Sequence, residues 1–276
     1  MNSRRIDIAE IELDLLLECI HRVRGFDYRG YARSSLKRRL AQRTAAEGLL
    51  TLSGLMERAL HDSACMDRIL RELSVNVTSM FRNPAFYRAF RSRVVPRLRT
   101  YPFVRLWVAG CATGEDAYSL AIVLREAGLY ERSRIYATDI NHVALEQAEA
   151  GIVPIERMRE YTENYMESGG SHTFVEYYVA NDATARMRRS VLRNIVFAQH
   201  NLATDGSFNE FNAVMCRNVM IYFDRPLRNR VHSLLRDSIT PFGVLALGER
   251  ESLRFTPVEH SYEELDHPAR LYRKVA

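Results

Sequence analysis

The feature that most constrains the fold is an alternation of short apolar strands with helices, which begins at Val104. The sequence predicts a strand at Val104–Ala109, a helix at Asp116–Ala127, a strand at Arg134–Thr138 and a helix at His142–Ala150. Parallel strands need long crossover connections, and a helix is the usual one. The pattern therefore predicts an α/β domain with a doubly wound, mostly parallel sheet.

The same sheet is expected to continue toward the C-terminus. Phe211–Cys216 is apolar apart from Asn212 and is predicted to be another buried parallel strand. A helix is predicted from Pro226 to Ile239 and a late strand at Phe242–Leu247. Ala269–Val275 is predicted as a last strand at the edge of the sheet.

Residues 172–200 interrupt this alternation. Three short strands are predicted there, at His172–Val179, Ala185–Val191 and Asn194–His200. Asn181-Asp182 separates the first two, and such a pair is typical of a turn between antiparallel strands. We therefore predict a small antiparallel β insertion at 172–200.

The first 75 residues show only helical spacing. In residues 7–24, apolar side chains recur every three or four positions, and Gly25 ends the pattern as a C-cap glycine would. The residues that carry this spacing are Ile8, Ile11, Leu15 and Cys19. Further helices are predicted at Ser34–Gly48, Thr51–His61 and Ser63–Leu73, and Asn83-Pro84 marks the start of another. The sequence predicts an all-helical domain at 1–75 and an α/β domain at 76–276.

Composition narrows the class of protein. The 276 residues are 47% hydrophobic and 26% charged, as in a globular protein with a packed core. No apolar run approaches the ~20 residues that a membrane-spanning helix needs, and we expect no signal peptide. The cysteines lack the paired spacing of metal ligands, so we expect reduced thiols, no metal and a cytoplasmic location. The net charge of +5 favours an anionic partner, whether nucleic acid, membrane surface or acidic protein.

A glycine-containing turn, Gly110-Cys111-Ala112-Thr113-Gly114, lies between the first strand and its helix and precedes Glu115. We expect Gly110 and Gly114 to let the backbone approach a ligand, but their spacing is not that of dinucleotide sites. The next strand ends at Asp139, whose carboxylate can accept hydrogen bonds from two ribose hydroxyls. The two features favour a nucleoside cofactor without phosphates, such as S-adenosylmethionine, over a purely structural turn with a carboxylate at the helix N-terminus.

Four motifs resemble those of a known family, the chemotaxis receptor methyltransferases or CheR family. They are SVNVTSMFRNP at 74–84, WVAGCATGEDAYSL at 107–120, ATDI at 137–140 and CRNVMIYF at 216–223. They are similar to the linker, the cofactor loop, the ribose-binding strand end and a further hallmark of that family, in the same order. The resemblance covers nearly the whole chain and implies a Rossmann-like methyltransferase domain joined to a helical domain. Residues 169–200 and Gly248–Ser252 differ from the family pattern as it is known.

The resemblance implies S-adenosylmethionine as the cofactor and S-adenosylhomocysteine as the product. Asn76, Thr78 and Arg82 of the linker would reach the methionine end of the cofactor. Glu115 would hold its amino group.

The remaining cofactor contacts are implied at strand ends. Asp139 would bind the ribose, and Asn201 and Leu202 would border the adenine. Asn218 and Val219 would line the pocket beside the transferred methyl group.

The implied reaction esterifies glutamate side chains. A glutamate carboxylate is ionised near neutral pH, so methyl transfer to it needs alignment rather than a general base. Arg82 and Arg217 are candidates to orient that carboxylate through paired hydrogen bonds, and the Tyr222 hydroxyl is a candidate to position it. The alternatives are that Arg217 caps backbone carbonyls and that Tyr222 only packs in the core.

Five positive charges lie within eleven residues at one predicted helix, without comparable acidic compensation: Arg33, Lys37, Arg38, Arg39 and Arg43. Such a run is often only a solvated surface, but charge of one sign also favours an anionic partner. The resemblance implies that the N-terminal helices meet the acidic, methylated helical region of a chemoreceptor-like protein. The membrane would then be reached only through that receptor, and we expect a monomer.

Two other functions stay open at this point. A nucleic-acid methyltransferase fits the basic balance, but Cys216–Val219 lacks the Asn/Asp-Pro-Pro-aromatic motif of DNA amino methyltransferases, and no aromatic platform for bases is evident. We therefore expect no nucleic-acid partner. A non-catalytic, cofactor-binding chemosensory scaffold is the other alternative, and the intact Asn76, Arg82, Asp139 and Asn218 argue against it.

Overall fold

The computed structural model describes residues 7–73 and 78–275. Its contacts divide the chain into two compact units. The first comprises Met1–Val75 and Tyr222–Arg228, and the second comprises Asn76–Ile221 and Asn229–Ala276. No helix in the described part of the chain is both long and apolar enough to cross a membrane.

Residues 7–73 contain four helices joined by loops: α1 (Ile8–Arg24), α2 (Arg33–Ala46), α3 (Leu52–His61) and α4 (Ser63–Leu73). Asp7 is the N-cap residue of α1, and its carboxylate accepts the backbone N–H groups of Ala9 and Glu10. It ends at Gly25, whose φ of 76° is a left-handed conformation that costs glycine little because it has no Cβ. The predicted C-cap at Gly25 is confirmed.

Three of the four residues whose spacing predicted α1 are exposed, whereas Cys19 is partly buried against the core. Ile8, Ile11 and Leu15 are 69%, 48% and 51% exposed. The core of the helical unit instead takes four other residues of α1: Leu13, Leu16, Leu17 and Ile20. Both sets recur at three or four positions, so periodicity identifies the helix without choosing between two apolar stripes on it.

A single carboxylate joins three of these helices. Glu47 follows α2 and lies 3.5 Å from Arg43 of α2, 3.4 Å from Arg58 of α3 and 2.7 Å from Arg68 of α4. The hydrogen bond from Arg68 is the main cause that lowers the pKa of Glu47 to about 2. Since these partners come from three helices, the Glu47 carboxylate is a central polar contact of the helical unit.

The second unit contains two sheets. In chain order, the strands of the described residues are β1 (Val104–Ala109), β2 (Ser133–Asp139), β3 (Ile152–Pro154), β4 (Tyr178–Ala180), β5 (Thr184–Met187), β6 (Ile195–Gln199), β7 (Phe211–Cys216), β8 (Ile239–Leu247), β9 (Tyr262–Asp266) and β10 (Leu271–Lys274). The large sheet has the order β6-β2-β1-β7-β8-β10-β9, and the small one has the order β3-β5-β4.

Most helices of this unit connect or cover the large sheet. They are α5 (Pro84–Ala89), α6 (Val95–Leu98), α7 (Glu115–Glu126), α8 (His142–Ala150), α9 (Met158–Glu167), α10 (Arg189–Leu192) and α11 (Arg225–Asp237), of which α11 begins in the first unit. A π-helical turn at Phe90–Val94 joins α5 to α6. α5 begins at Pro84, as predicted, with Asn83 as its N-cap residue.

The strand order creates the crevice where ligands bind in folds of this type. From β1 the chain moves outward to β2 and β6, and then returns to β7 on the other side of β1. β1, β2, β6, β7 and β8 are parallel, so the carboxyl ends of β1 and β7 lie side by side. Open α/β sheets bind ligands at such a switch point. The predicted doubly wound fold is confirmed.

The predicted insertion at 172–200 is only partly correct. β4 and β5 are antiparallel, but the third strand of the small sheet is β3, outside the predicted range. Residues 195–199, predicted as the third insertion strand, instead pair in parallel with β2 as the edge of the large sheet. Ile195–Ala198 is an apolar run, so the strand itself was predicted. Its pairing with β2 joins residues far apart in the chain and leaves no local signal.

The last strand forms within the predicted range 269–275, but the prediction that it is the edge of the sheet is wrong. β10 lies between β8 and β9 and is antiparallel to both, so it is not an edge. The edge is β9, which the sequence analysis missed. Its sequence, Tyr-Glu-Glu-Leu-Asp, is dominated by carboxylates, and charged residues are typical of exposed edges because they discourage pairing with other chains.

Glu47→Gln is expected to destabilise the helical unit at neutral pH, because the amide cannot replace the charge between three arginines. A carboxyl whose pKa is lowered on folding stabilises the protein above its ordinary pKa of 4.5 and loses that effect as the pH falls toward about 2. The difference in melting temperature between wild type and variant should therefore be constant above pH 4.5 and shrink below it. Thermal denaturation followed by circular dichroism measures this difference.

Glu57→Gln is the matched control, since Glu57 is an exposed glutamate of α3. Its melting temperature should stay at the wild-type value across the same pH range. A Glu47→Gln variant as stable as wild type at pH 7 would show that these ion pairs contribute nothing measurable.

Candidate functional site

The glycine turn lies at the carboxyl end of β1. The backbone N–H groups of Gly110 and Cys111 both donate to the carbonyl of Thr138, at 2.8 and 2.9 Å. Gly110 and Gly114 have φ angles of 75° and 95°, which favour glycine. A Cβ at Gly110 would also lie 2.4 Å from a methyl carbon of Val219. The turn therefore needs glycine at Gly110 for both its conformation and its packing.

Asp139, at the end of β2, holds this turn in place. Its Oδ2 accepts the N–H of Ala112 and its Oδ1 accepts the N–H of Asn141, both at 2.9 Å. Burial raises the pKa of the Asp139 carboxyl, and these backbone hydrogen bonds oppose that effect. A carboxylate has about four acceptor positions, so two accepted bonds leave room for ribose hydroxyls. The geometry fits a ribose-binding role and adds a structural one.

Glu115 begins α7 and is buried beside the turn. Its oxygens accept the hydroxyl groups of Thr113 at 2.7 Å and Tyr161 at 3.2 Å. Arg157 lies 3.9 Å away, at ion-pair distance. Burial is the main cause that raises the pKa of the Glu115 carboxyl. A buried carboxylate at this place suits a cationic group such as the ammonium of S-adenosylmethionine.

The linker is tied to Glu115 through Arg157, whose guanidinium also donates to the carbonyl of Thr78 at 2.7 Å. Sequence reasoning missed Arg157 and Tyr161, because both lie outside the four motifs. In a chain with 39 Lys and Arg residues, no spacing marked Arg157. Asn76, also predicted for this end of the cofactor, lies outside the described residues.

The segment predicted to border the adenine starts next to Asp139. The N–H of His200 donates to the Asp139 carbonyl at 3.1 Å, so the chain leaves β6 beside the end of β2. Asn201 then forms a tight turn with Asp205, whose carboxylate accepts its N–H at 2.8 Å. Leu202 is 7% exposed. The structure thus brings Asn201 and Leu202 to the same edge of the sheet as Asp139.

Asn218 and Val219 follow β7, on the other side of β1. Asn218 has a φ of 60°, which is uncommon outside glycine, and the Val219 side chain packs against Gly110. The backbone of this turn is bound by the carboxylate of Glu251, which sequence analysis did not single out. Since Val219 touches the glycine turn, Asn218 and Val219 belong to the same crevice as Gly110.

Arg217 has a structural environment. Its guanidinium donates to Asp116 at 3.0 Å and to the carbonyl of Arg82 at 2.8 Å, and it stacks on Phe86 with 4.0 Å to the ring centroid. The side chain is only 1% exposed. These contacts favour the carbonyl-capping alternative over the prediction that Arg217 orients a substrate carboxylate. Arg82, which is half-buried, stays a prediction.

Tyr222 groups with the helical unit by its contacts. Its carbonyl accepts the N–H of Ala32 at 2.8 Å, and the Arg39 guanidinium lies 5.7 Å from its ring centroid. Within the described part of the chain, no group hydrogen-bonds the Tyr222 hydroxyl. The ring therefore has a packing role, and the hydroxyl remains available for the predicted one.

Comparison with known proteins agrees with this geometry. Residues 76–268 match the family model described as CheR methyltransferase, SAM binding domain, and residues 11–74 match the model described as CheR methyltransferase, all-alpha domain. A Pseudomonas putida protein named "Putative methyltransferase Cher3" is 45% identical, with 96% of this chain and 97% of that protein covered.

More distant relatives carry a more specific name. The "Chemotaxis protein methyltransferase" of Listeria monocytogenes is 26% identical, with 94% of this chain and 97% of that protein covered. The protein of the same name from Klebsiella aerogenes is 28% identical, with 91% and 86% covered.

Glu115→Gln is expected to weaken S-adenosylhomocysteine binding at pH 7.5 by roughly tenfold or more, because a hydrogen bond between charged groups contributes about 1.5–3 kcal/mol. An ammonium prefers the ionised carboxylate, so the wild-type affinity should fall as the pH is lowered through the pKa of Glu115. Because burial raises that pKa, the fall should begin above 4.5. Calorimetric titrations between pH 5 and 8 measure both effects.

The affinity of Glu115→Gln for S-adenosylhomocysteine should depend less on pH in this range than that of wild type. Asp139 is present in both proteins, so its titration contributes equally to both profiles. Parallel pH profiles for the two proteins would remove Glu115 from the ammonium site.

Proposed function

The chain belongs to the CheR methyltransferase family, and from this premise we propose that it methylates glutamate side chains of a chemoreceptor-like protein with S-adenosylmethionine. The products are a glutamate methyl ester and S-adenosylhomocysteine. The observation that carries the proposal is that Asp139 and Glu115 both bind the glycine turn, at Ala112 and Thr113, inside a domain that matches the family's cofactor-binding model. The relatives named as chemotaxis protein methyltransferases support the receptor class of substrate.

The proposed chemistry needs little from acid–base groups. The sulfonium of the cofactor supplies the methyl group, and an ionised glutamate attacks it in line. The protein must hold both partners and exclude water. In this proposal Asp139 binds the ribose, Glu115 binds the ammonium, and Arg82 orients the acceptor carboxylate. Tyr222 positions that carboxylate through its hydroxyl, while Arg217 acts only by holding the Arg82 carbonyl.

The acceptor is proposed to be an acidic helical region of the receptor, recognised by α2. In the structure, three of the five positive side chains of this helix are paired with carboxylates. Arg33 pairs with Asp14 of α1 at 2.5 Å, and Lys37 pairs with Glu10 of α1. Arg43 pairs with Glu47. These contacts leave Arg38 as the exposed arginine of α2 with no ion pair among the described residues, so we place the recognition charge there.

The proposed setting is a monomer in the cytoplasm that reaches the membrane only through its receptor. The four cysteines, which the sequence predicts as reduced thiols of a cytoplasmic protein, are free in this structure. Three of them are buried, and burial raises the pKa of the Cys65, Cys111 and Cys216 thiols. A raised pKa lowers the fraction of reactive thiolate at neutral pH, so we propose that these three thiols serve packing.

A transfer assay tests the proposed activity directly. Purified protein, methyl-labelled cofactor and membranes that contain chemoreceptors should give labelled receptor whose label is released by mild base, since methyl esters hydrolyse readily. Tyr222→Phe should bind S-adenosylhomocysteine like wild type and transfer methyl groups more slowly, because only the hydroxyl is removed. Label that resists base, or label on nucleic acid, would refute the proposed reaction.

Arg38→Glu is expected to slow receptor methylation without changing S-adenosylhomocysteine affinity. Exposed charges are screened within ~10 Å at 0.1 M salt, so wild-type methylation should decline with added salt and the variant should respond less. Arg71→Glu reverses an exposed arginine of α4 and serves as the matched control. Equal rates and equal salt responses for Arg38→Glu and wild type would make α2 a solvated surface only.

A further inference from the structure

Glu251 is a buried carboxylate with an unusual set of partners. It lies four residues after the end of β8 and is 5% exposed. Both of its oxygens accept backbone N–H groups only: Oε1 accepts those of Val219 and Met220 at 3.0 and 2.8 Å, and Oε2 accepts those of Asn218 and Gly248 at 3.0 and 2.6 Å. Among the described residues no arginine, lysine or histidine pairs with it. Among the described residues, the Glu251 carboxylate is therefore stabilised by four backbone N–H groups.

Three of those N–H groups belong to consecutive residues, which the carboxylate holds in one tight turn after β7. Asn218, with its φ of 60°, starts that turn. A left-handed conformation is unfavourable for a residue with a Cβ, so it persists only where its surroundings fix it. Three converging hydrogen bonds from the turn to one carboxylate supply that constraint.

The turn is also packed tightly on both sides. A Cβ at Gly248 would lie 2.7 Å from the Asn218 nitrogen and 2.7 Å from Oε2 of Glu251. Only glycine therefore lets the segment after β8 approach the turn after β7 this closely. On the other side, Val219 fills the space that a Cβ of Gly110 would need, 2.4 Å from one of its methyl carbons. The position of Val219 therefore depends on Glu251. The glycine turn packs against Val219 at Gly110.

We propose that Glu251 is a positioning residue of the S-adenosylmethionine pocket. It fixes the turn of Asn218, Val219 and Met220, and through the contact between Val219 and Gly110 it sets the shape of the pocket wall and thus the affinity for the cofactor. Glu251 itself does not touch the cofactor, since its oxygens face backbone N–H groups. The proposal rests on cofactor binding by the family and is independent of which protein accepts the methyl group.

Glu251→Gln tests the proposal with S-adenosylhomocysteine as the probe. The amide presents an NH2 group to N–H donors, so the turn should loosen while the volume stays constant. We expect about a tenfold or greater loss of affinity in calorimetry at 25 °C, with the protein still folded. Amide hydrogen exchange should accelerate in the peptides that contain residues 216–223 and 108–114 and stay unchanged in β2.

Glu259→Gln is the matched control. Glu259 also accepts a backbone N–H, that of Phe255 at 2.8 Å, in the same C-terminal region. Its affinity for S-adenosylhomocysteine should equal that of wild type, even if its melting temperature falls. This control separates a general loss of stability from a change in the pocket.

A double-mutant cycle with Val219→Ala tests the route of the effect. If Glu251 acts through Val219, the double variant should bind S-adenosylhomocysteine about as weakly as Glu251→Gln alone, because the contact is already lost. Additive losses would overturn that route. If Glu251→Gln does not fold, Gly248→Ala displaces the same turn while keeping the carboxylate, and it should show the same loss of affinity.

Wild-type affinity in folded Glu251→Gln, or in folded Gly248→Ala, would overturn the proposal. These measurements need no receptor. A protein that binds S-adenosylhomocysteine in this Glu251-dependent way but methylates no receptor would refute only the function proposed above.

Discussion

The site depends on two carboxylates, Asp139 and Glu251, that bind backbone N–H groups and form no ion pair among the described residues. Asp139 binds the N–H groups of Ala112 and Asn141, and Glu251 binds those of the turn after β7. Hydrogen bonds to an ionised acceptor are about twice as strong as neutral ones, and each fixes a backbone segment rather than a mobile side chain. The two turns that meet at Gly110 and Val219 are therefore held by charge, with apolar packing filling the space between them.

Most of the parallel sheet could be predicted from sequence because burial imposes a simple pattern on it. β1 and β7 lie in the middle of the sheet and are largely apolar, so their predicted limits match the structure. β6 and β9 lie at opposite edges: β6 was predicted as a strand but assigned to the insertion, and the acidic β9 was missed. Edge strands are defined by what they pair with, and pairing between residues far apart in the chain leaves no local signal.

The site residues divide along the same line. Gly110, Gly114 and Asp139 could be located because a strand, a turn and an acidic strand end follow one another in the sequence. Arg157, Tyr161 and Glu251 could not, since they reach the site from other segments and act through single contacts. Arg217 shows the converse: an arginine inside a recognised motif can have contacts that serve the fold, and only its burial and its contact with the Arg82 carbonyl reveal them.

The electrostatics of the crevice also bear on which cofactor it accepts. Burial raises the pKa of both Glu115 and Asp139, which means that their ionised forms are poorly solvated where they stand. A ligand with positive charge relieves this cost, whereas a phosphate-bearing nucleotide would add to it. The wider glycine spacing likewise offers fewer converging N–H groups to a pyrophosphate than a dinucleotide site does. Charge and backbone geometry thus favour a cationic nucleoside such as S-adenosylmethionine over a nucleotide.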